Sequence, residues 1–432
     1  PYKRLFGSND LTYQTQMLNI FTQFNYKMSE QWTSQTIISR ARSSINGYIS
    51  GLNGKSDSTL NASIMRGYTV FIATDLQQNF TGDFMIGSHR NRLVIGLDYY
   101  NNANSFDRLT ITGPLVNFTK ASITQINRAT IDNLAATGAS RAESNGNNSY
   151  AIYASNVFNI TDRLLAMLSL RADRYQDLGV TPTNTGVSTG NYGQTALSPK
   201  LGLVYEVVKD RVSLFGNYIN GFTNQSGSDI NGNVFKPEEA NQFEGGIKGD
   251  IFDHKLVGTI SYYNIGVKNK VRADPSDATG TYNIQNGTQK SKGVEIELTA
   301  NPLPGLNIVS GYAYNDSKMT NADASINGLR PALSGPDKML NFWLSYKFYQ
   351  GGLSGFGAGF GGNWGSSSFQ TNTVMTKIII PSYTTLDATV FYDVNRFRVG
   401  IKVNNLTNEK TWSGRLTPQN PTTFLGNLTF RF

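Results

Sequence analysis

The chain has 432 residues, of which 16% are charged and 12% are aromatic, and its net charge is +8. An average soluble domain has about 25% charged residues, so this composition argues against a set of ordinary soluble domains. Cysteine is absent, which excludes disulfides and thiolate metal sites. Lysine and arginine are scattered singly along the chain, whereas nucleic-acid binding requires them on one face. No segment reaches the roughly 18 consecutive apolar residues of a membrane-spanning helix.

Alternation of apolar and polar residues, which is typical of β-strands, recurs along the whole chain. In 163–173, for example, Leu164 and Leu168 fall on one face of a strand, and Arg163 and Arg171 fall on the other. We predict about seventeen strands, each long enough (roughly 9–11 residues) to cross a bilayer when tilted. Their predicted spans are 10–28, 32–48, 61–80, 83–103, 146–161, 163–177, 194–208, 211–223, 239–252, 255–270, 286–301, 305–317, 338–349, 353–369, 382–393, 396–409 and 422–432.

The predicted connections between these strands alternate between short and long. The short ones lie near 29–31, 81–83, 161–163, 209–210, 253–254, 302–304, 350–352 and 394–395. The long ones lie near 49–60, 104–145, 178–193, 224–238, 271–285, 318–337, 370–381 and 410–421. Short periplasmic turns and long extracellular loops are typical of outer-membrane barrels. The sequence therefore predicts an all-β fold, a transmembrane antiparallel β-barrel domain over residues 1–432.

Strand direction follows from the same alternation. If the long loops lie outside the cell, the last strand runs inward and ends at Phe432, and by parity the first strand also runs inward. Bacterial single-chain barrels usually have an even number of strands, so a count of about seventeen predicts an N-terminally incomplete barrel. An open sheet edge of that length would be an aggregation hazard. We therefore expect the chain to be part of something larger.

Four motifs in the last 200 residues carry a family resemblance. The segment KPEEANQFEGGI at 236–247 is followed by SKGVEIEL and a Pro-Leu-Pro-Gly turn within 291–315. VNNLTN occupies 403–408, and LTFRF ends the chain at 428–432. In their order and spacing these motifs resemble those of TonB-dependent outer-membrane receptors. Residues 327–343 and 381–387 are similar to the ferric-siderophore branch of that family.

The resemblance implies a 22-stranded barrel closed by an N-terminal plug domain that bears the TonB-contacting box. Neither plug nor box is visible in this sequence, and about five strands would be missing. The implied function is import of a ferric siderophore across the outer membrane, and the implied partners are lipid, the siderophore, the plug domain and the TonB complex. Uptake of cobalamin, haem or an oligosaccharide, or a passive porin-like barrel, are the alternatives. The terminal aromatic, Phe432, would be the signal for barrel assembly.

Catalytic chemistry has little support in the sequence. The two histidines, His89 and His254, lie far apart in a strand and in a short turn. The glycine-rich run 351–362 lacks the Lys-Ser/Thr pair of a phosphate-binding loop and alternates like a barrel strand. We expect no enzyme activity, no cofactor and no metal site.

Charged residues within predicted strands form a second group of candidates. They share strand faces in pairs or triplets, which is expected for the polar lining of a hydrated lumen. We interpret them as lumen-facing residues that contact the plug, and paired carboxylates for acid–base catalysis are not indicated. They are Glu244, Lys248, Asp250, Glu295, Glu297, Asp387, Arg398 and Lys402.

Aromatic and arginine side chains at the long-loop ends of the strands form the third group. Aromatic rings give contact area at low entropy cost, and arginine offers fixed donors to oxygen ligands. We interpret them as candidate ligand contacts; the alternative is the interfacial aromatic girdle that such barrels have. They are Tyr100, Phe106, Tyr175, Tyr192, Phe222, Tyr282, Tyr314, Arg330, Trp364, Phe369, Trp412 and Arg415.

Overall fold

The computed structural model describes residues 7–54, 59–117, 125–274, 277, 282–414 and 416–432, without the side chains of 52–54. The chain divides into two compact units. Unit 1 comprises Pro1–Phe84, Arg92–Ser155 and Leu170–Leu197. Unit 2 comprises Met85–Asn91, Asn156–Ser169 and Ser198–Phe432.

The first half of the described chain consists almost entirely of long strands. They are β1 (Tyr13–Lys27), β2 (Trp32–Gly54), β3 (Thr59–Ile86), β4 (His89–Asn117), β5 (Ala139–Asn159), β6 (Leu164–Pro182), β7 (Tyr192–Val208), β8 (Val212–Thr223) and β9 (Glu238–Ile251). A short helix, α1 (Arg128–Asn133), and a 3-10 turn (Ala135–Thr137) lie between β4 and β5. Of the described helices, none is long and apolar enough to span a membrane.

The second half continues the pattern with one addition. Its strands are β10 (Leu256–Ala273), β11 (Asn283–Ala300), β12 (Leu306–Asn321), β13 (Lys338–Lys347), β14 (Phe356–Gly365), β15 (Ser368–Asn372), β16 (Lys377–Ile380), β17 (Tyr383–Asp393), β18 (Phe397–Asn404) and β19 (Thr423–Phe430). A 3-10 turn (Gly351–Leu353) precedes β14. Among the described residues, β15 and β16 form a separate two-stranded hairpin, and the other strands belong to one seventeen-stranded sheet. The prediction of an all-β fold with about seventeen antiparallel strands is thereby confirmed.

Two local predictions were wrong. The turn predicted at 81–83 lies instead at Gly87, whose φ of 62° is the left-handed conformation that glycine adopts without strain. Gly82 remains in strand β3, paired with Trp32, and glycine suits this position because a Cβ would lie 2.9 Å from the indole ring. The hairpin β15–β16 falls in a stretch that the sequence predicts to be mainly loop.

In the described parts of the long connections predicted at 49–60 and 104–145, most residues are in strands. β4 alone has 29 residues, whereas roughly 9–11 suffice to cross a bilayer. These extensions persist because unit 1 contains a hydrophobic core there, whose buried members are Tyr48, Ala62, Ile64, Ile111, Val116, Ile126 and Ile131. Ile131 of α1 is fully buried in it, so the helix packs onto the upper ends of β2, β3 and β4. The sequence alternation did not reveal this core because strand patterns look alike inside and outside a membrane.

Strand register in unit 2 assigns the residues of β8 to β14 and of β17 to β19 to one of two faces. Glu297 of β11 pairs with Thr259 and Gly311, and Ile296 pairs with Ile260 and Tyr312. The first row belongs to what we call the polar face, and the second belongs to the apolar face. Exposure on the apolar face is high: Phe243 is 62%, Ile260 53% and Leu428 61% exposed. Exposed apolar surface of this extent marks a partner or a membrane.

Strand β14 explains the glycine-rich run. Gly357, Gly359 and Gly361 lie on its polar face, and neighbouring rings occupy the space above them. The Trp343 ring covers Gly359 and Gly361, and the Phe391 ring covers Gly357. These glycines therefore serve close packing of aromatic rings against a strand, and the segment is no phosphate-binding loop.

Candidate functional site

The polar face of unit 2 carries the eight charged residues that the sequence singles out. In β9, Glu244 lies opposite Tyr263 and Lys248 lies opposite Thr259. Thr259 in turn lies opposite Glu297, so the candidates of β9 and β11 share a face. Register through β13, β14, β17 and β18 extends the same face to the remaining members, Asp387, Arg398 and Lys402.

Ion pairs on this face gather near the short turns of the last strands. Arg431 Nη1 donates to Asp393 Oδ1 at 2.8 Å, and Arg398 Nη1 lies 3.9 Å from the other oxygen of that carboxylate. Further from the short turn, Lys402 Nζ lies 4.0 Å from Asp387 Oδ2. These contacts join β17, β18 and the last residues of the chain across the sheet.

The carboxylates of β11 have a different environment. Glu295 and Glu297 are exposed and form no ion pair within the described part of the chain. They line a groove of about 290 Å³. The groove is open beside the two carboxylates because the residues opposite them, Gly311 and Ala313, are small. Asn341 contributes an amide to the same groove. Two uncompensated carboxylates beside an amide suit a cationic group from a partner.

A charged cluster in unit 1 was not identified from the sequence. Arg171 Nη2 lies 2.8 Å from Asp98 Oδ2, and its Nε donates to Asp173 Oδ1 at 2.9 Å. Its guanidinium also lies 5.3 Å from the ring centroid of Tyr153. Alternation places Arg171 and Asp173 on one face of β6, but only the fold brings Asp98 of β4 to them.

Unit 1 holds four of the predicted ligand contacts. The rings of Tyr175 and Tyr192 lie 5.9 Å apart, and the Tyr175 hydroxyl donates to Asp177 Oδ2 at 3.1 Å. Tyr100 is exposed two residues beyond Asp98, whose carboxylate contacts the Arg171 cluster. These three tyrosines lie on the face that carries the charged residues.

Phe106, the fourth, is only 9% exposed. The guanidinium groups of Arg108 and Arg141 lie 4.8 and 4.4 Å from its ring centroid. The Phe71 ring meets it edge-on at 6.0 Å. Its position therefore favours a packing role.

Three candidates in unit 2 lie on the apolar face. Tyr314 pairs with Val294 and Lys338, and Trp364 pairs with Leu340. Phe222 pairs with Glu239, and this pair also lies on the apolar face. Their position among exposed apolar side chains favours the aromatic girdle over ligand contact.

The remaining candidates are in or beside loops. Arg330 donates to the carbonyl oxygens of Asn315, Gly335 and Pro336 at 2.7–3.3 Å, so its guanidinium organises the β12–β13 loop. The Phe369 carbonyl accepts the Leu333 amide at 2.8 Å, which ties β15 to that loop.

Tyr282, at the start of β11, is exposed, and Trp412 forms a β-bridge with Pro418. Arg415 lies outside the described residues. Phe432 is exposed at the end of the described chain.

The histidines lie at different turns. His89 Nδ1 is 3.1 Å from the Asn159 carbonyl, and His254 Nδ1 is 2.7 Å from Asp250. Among the described residues, no group of three His, Asp or Glu side chains could hold a metal ion.

Helix α1 is fixed by one carboxylate. Asp132 Oδ1 accepts hydrogen bonds from the Tyr48 hydroxyl and from Arg66 Nη1, each at 2.8 Å. The hydrogen bond from Tyr48, followed by that from Arg66, lowers the pKa of Asp132 below its ordinary value. A lowered carboxyl pKa means that the stabilisation is fully present above about pH 4 and is lost as pH falls through the folded-state value.

We expect Asp132→Asn to loosen α1 because the charge that attracts Arg66 is removed. At neutral pH, tryptic cleavage after Arg128, within α1, should become roughly two- to five-fold faster, the range for an exposed ion pair. Asp107→Asn, which changes an exposed aspartate elsewhere in unit 1, is the matched control. Equal cleavage rates in the two variants would contradict the prediction.

Comparisons with known proteins agree with this architecture. The family model described as "TonB dependent receptor-like, beta-barrel" matches residues 1–406. The metal-pseudopaline receptor CntO of Pseudomonas aeruginosa (strain UCBPP-PA14) is 27% identical over 349 residues, 76% of this chain and 46% of the relative. The ferrichrome outer membrane transporter/phage receptor of Escherichia coli K12 is 34% identical over 200 residues, 45% of this chain and 26% of the relative. The chain thus spans less than half the length of these relatives, both of which are receptors or transporters.

Solved structures show the same fold. The ferric-catecholate import receptor Fiu from E. coli K12, in its closed form, aligns with a TM-score of 0.81 and 19% identity over 99% of this chain and 66% of that chain. The siderophore receptor PiuA from Acinetobacter baumannii aligns with a TM-score of 0.80 and 18% identity over 97% of this chain and 64% of that chain.

Proposed function

Because the chain belongs to the TonB-dependent receptor β-barrel family, we propose that it forms most of the barrel of an outer-membrane receptor that imports a ferric siderophore. The observation that carries this proposal is the two-faced sheet of seventeen antiparallel strands. One face exposes apolar side chains, as a lipid-facing surface requires, and the other carries charges that suit a hydrated lumen. Alternation of short turns with long loops assigns the loops to the cell exterior.

The complete receptor would contain further strands and a plug domain. In this proposal a 22-stranded barrel encloses the plug, and the polar face of unit 2 lines the lumen around it. Glu295 and Glu297 then offer carboxylates to basic groups of the plug, because they have no ion pair of their own within the described residues. Outer loops capture the ligand, binding alters the plug, and energy from the TonB complex opens a path through the barrel.

Support for the cargo comes from the names of the relatives. Besides the ferrichrome transporter, they include the ferripyoverdine receptor of P. aeruginosa and the ferrioxamine B receptor of Salmonella typhimurium. The metal-pseudopaline receptor favours a second candidate of the same class, a metal complex that need not contain iron. Cobalamin, haem and oligosaccharides have no counterpart among these names.

Tyr100, Tyr175 and Tyr192 are the best-placed candidates for ligand contact in unit 1. Tyr192 begins β7 at its long-loop end, and Tyr175 lies in the half of β6 nearer the same loop. Tyr100 lies within β4, and all three are on the charged face. Their rings offer apolar contact area with a hydroxyl at the rim, which suits a bulky chelate with oxygen ligands. No covalent chemistry is involved.

The test is to titrate the full-length receptor in detergent with ferric hydroxamates and catecholates and to follow tryptophan fluorescence. Iron-free chelators, a metal-loaded aminopolycarboxylate, haem and cobalamin serve as comparisons. We expect saturable quenching by a ferric chelate at submicromolar concentration, typical of specific recognition. If no ferric chelate binds while a comparison ligand does, or if nothing binds, the siderophore assignment fails.

Tyr192→Ala is expected to weaken that binding about tenfold, since truncating a central aromatic contact costs more than about 1 kcal/mol. Tyr262→Ala is the matched control because Tyr262 is 50% exposed and lies on the apolar face, opposite Val294. Heat-modifiable electrophoretic migration verifies that both variants are folded. Equal affinities would remove Tyr192 from the ligand site.

A further inference from the structure

Lysines collect on the apolar face of unit 2 at the long-loop ends of four adjacent strands. We call them the lysine patch: Lys268 of β10, Lys290 and Lys292 of β11, Lys318 of β12 and Lys338 of β13. Alternation within each strand puts them in line with apolar residues nearer the short turns. Lys290 and Lys292, for instance, share the face of Ile296. All five are exposed.

Register brings like charges together in this patch. Lys290 of β11 lies directly opposite Lys318 of β12, and Lys292 lies opposite Asp316 one row below. Directly opposed like charges destabilise a sheet. A pair of lysines in this position is therefore better suited to an anion held between them than to an empty surface.

Carboxylates compensate the patch only in part. Lys268 Nζ lies 2.9 Å from Glu239 Oε2, and Lys318 Nζ lies 3.5 Å from Asp316 Oδ1. Lys290, Lys292 and Lys338 take part in no ion pair within the described residues. The patch therefore has an excess of positive charge on a surface that carries almost only apolar side chains below it.

The height of the patch on the sheet indicates its surroundings. The row formed by Tyr262, Val294 and Tyr314 includes Lys338 and lies just below the other four lysines, and Ile260 and Ile296 belong to the next row. Tyrosines are typical of the boundary between hydrocarbon and headgroups. Lys338 lies at that boundary, and the other four lysines, one to three rows beyond it, lie at the level of the headgroups.

We propose that the lysine patch binds the phosphate groups of a phosphorylated glycolipid in the outer leaflet around the receptor. Each ammonium group offers three donors to phosphate oxygens, and the opposed pair Lys290 and Lys318 forms the centre of the site. The inference rests on the outer-membrane position in the proposed function, and it is independent of the cargo.

The experiment uses the full-length receptor, delipidated in a non-ionic detergent, with diphosphorylated lipid A as the probe and native mass spectrometry as the readout. Lys290→Ala/Lys318→Ala should bind the lipid about 30-fold more weakly, since each lysine near an anionic surface contributes roughly five-fold. Lys377→Ala/Lys410→Ala removes two exposed lysines outside the patch, one at the start of β16 and one in the β18–β19 loop, and is the charge-matched control, expected to bind like the parent protein. Raised salt should weaken parent binding because exposed charges are screened.

Several outcomes would overturn the proposal. One is equal affinity of the two double variants for lipid A, and another is equally tight binding of dephosphorylated lipid A to the parent protein. Binding of inorganic phosphate with the affinity of the lipid would identify a free-anion site instead. Ferric-chelate titration of the same variants keeps this test separate from the proposed function, because unchanged chelate binding is compatible with lost lipid binding.

Discussion

Replacement of Arg171 with methionine is expected to destabilise the receptor by about 2 kcal/mol. Arg171 is the cation between Asp98 and Asp173, and its loss leaves these carboxylates close together without compensation. Removal of one partner from a buried pair costs about 3–5 kcal/mol. The expected destabilisation is smaller than this range because the Arg171 side chain is 35% exposed, although the aspartates are only 16% and 11% exposed.

The measurement is urea unfolding of the full-length receptor in lipid vesicles, followed by tryptophan fluorescence. Arg163→Met makes the same change at an exposed residue of the β5–β6 turn and should leave stability within about 0.5 kcal/mol. Arg171→Met/Asp98→Asn should recover part of the loss because one of the opposed charges is gone. If Arg171→Met were as stable as Arg163→Met, the cluster would be a solvated surface ion pair that does not contribute to stability.

Much of the sheet could be predicted from the sequence because the period of two is a local property. In β11, the alternation of Val294, Ile296 and Leu298 with Glu295 and Glu297 gives the strand and its faces without any partner. The ends of the strands were harder to predict. Thr81–Asp83 looks like a turn in isolation, but pairing with Thr33, Trp32 and Gln31 keeps that segment extended.

The site was less predictable because a tyrosine or tryptophan suits both a ligand and a lipid interface. Tyr175 and Trp364 are equivalent candidates in the sequence, each near the long-loop end of a strand. Register separates them: Trp364 lies opposite Leu340 on the apolar face, and Tyr175 contacts Tyr192 on the charged face. Arg330 needed the loop structure as well, since the sequence does not show that its guanidinium donates to the carbonyl oxygens of Asn315, Gly335 and Pro336.

Replacement of Gly361 is expected to have a larger effect than replacement of Arg171. A Cβ at this position would lie 2.3 Å from the Phe342 carbonyl oxygen and 2.5 Å from Cε3 of Trp343. Because one of these atoms belongs to the backbone, a rotamer change cannot relieve the contact. Gly361→Val should therefore destabilise the receptor by about 3 kcal/mol, the upper part of the range for overpacking.

Gly249→Val provides the control for this prediction. Gly249 also lies within a strand, but no atom lies within 4 Å of its Cβ position. Valine there should be neutral or stabilising by up to about 1 kcal/mol, because β-branched residues favour strands. The two variants change the same residue type in the same way, so their difference isolates the contact with Phe342 and Trp343.

Gly361→Ala distinguishes this explanation from a loss of space for a larger side chain. Alanine already places the Cβ against the carbonyl oxygen, so most of the destabilisation should appear with alanine in the same urea titration. A small effect of alanine and a large effect of valine would mean that the strands separate easily and that only the γ-methyl groups meet the Trp343 ring. Glycine at 361 would then be required only for packing of the Trp343 ring. The close approach of β13 and β14 would not contribute to the stability of the receptor.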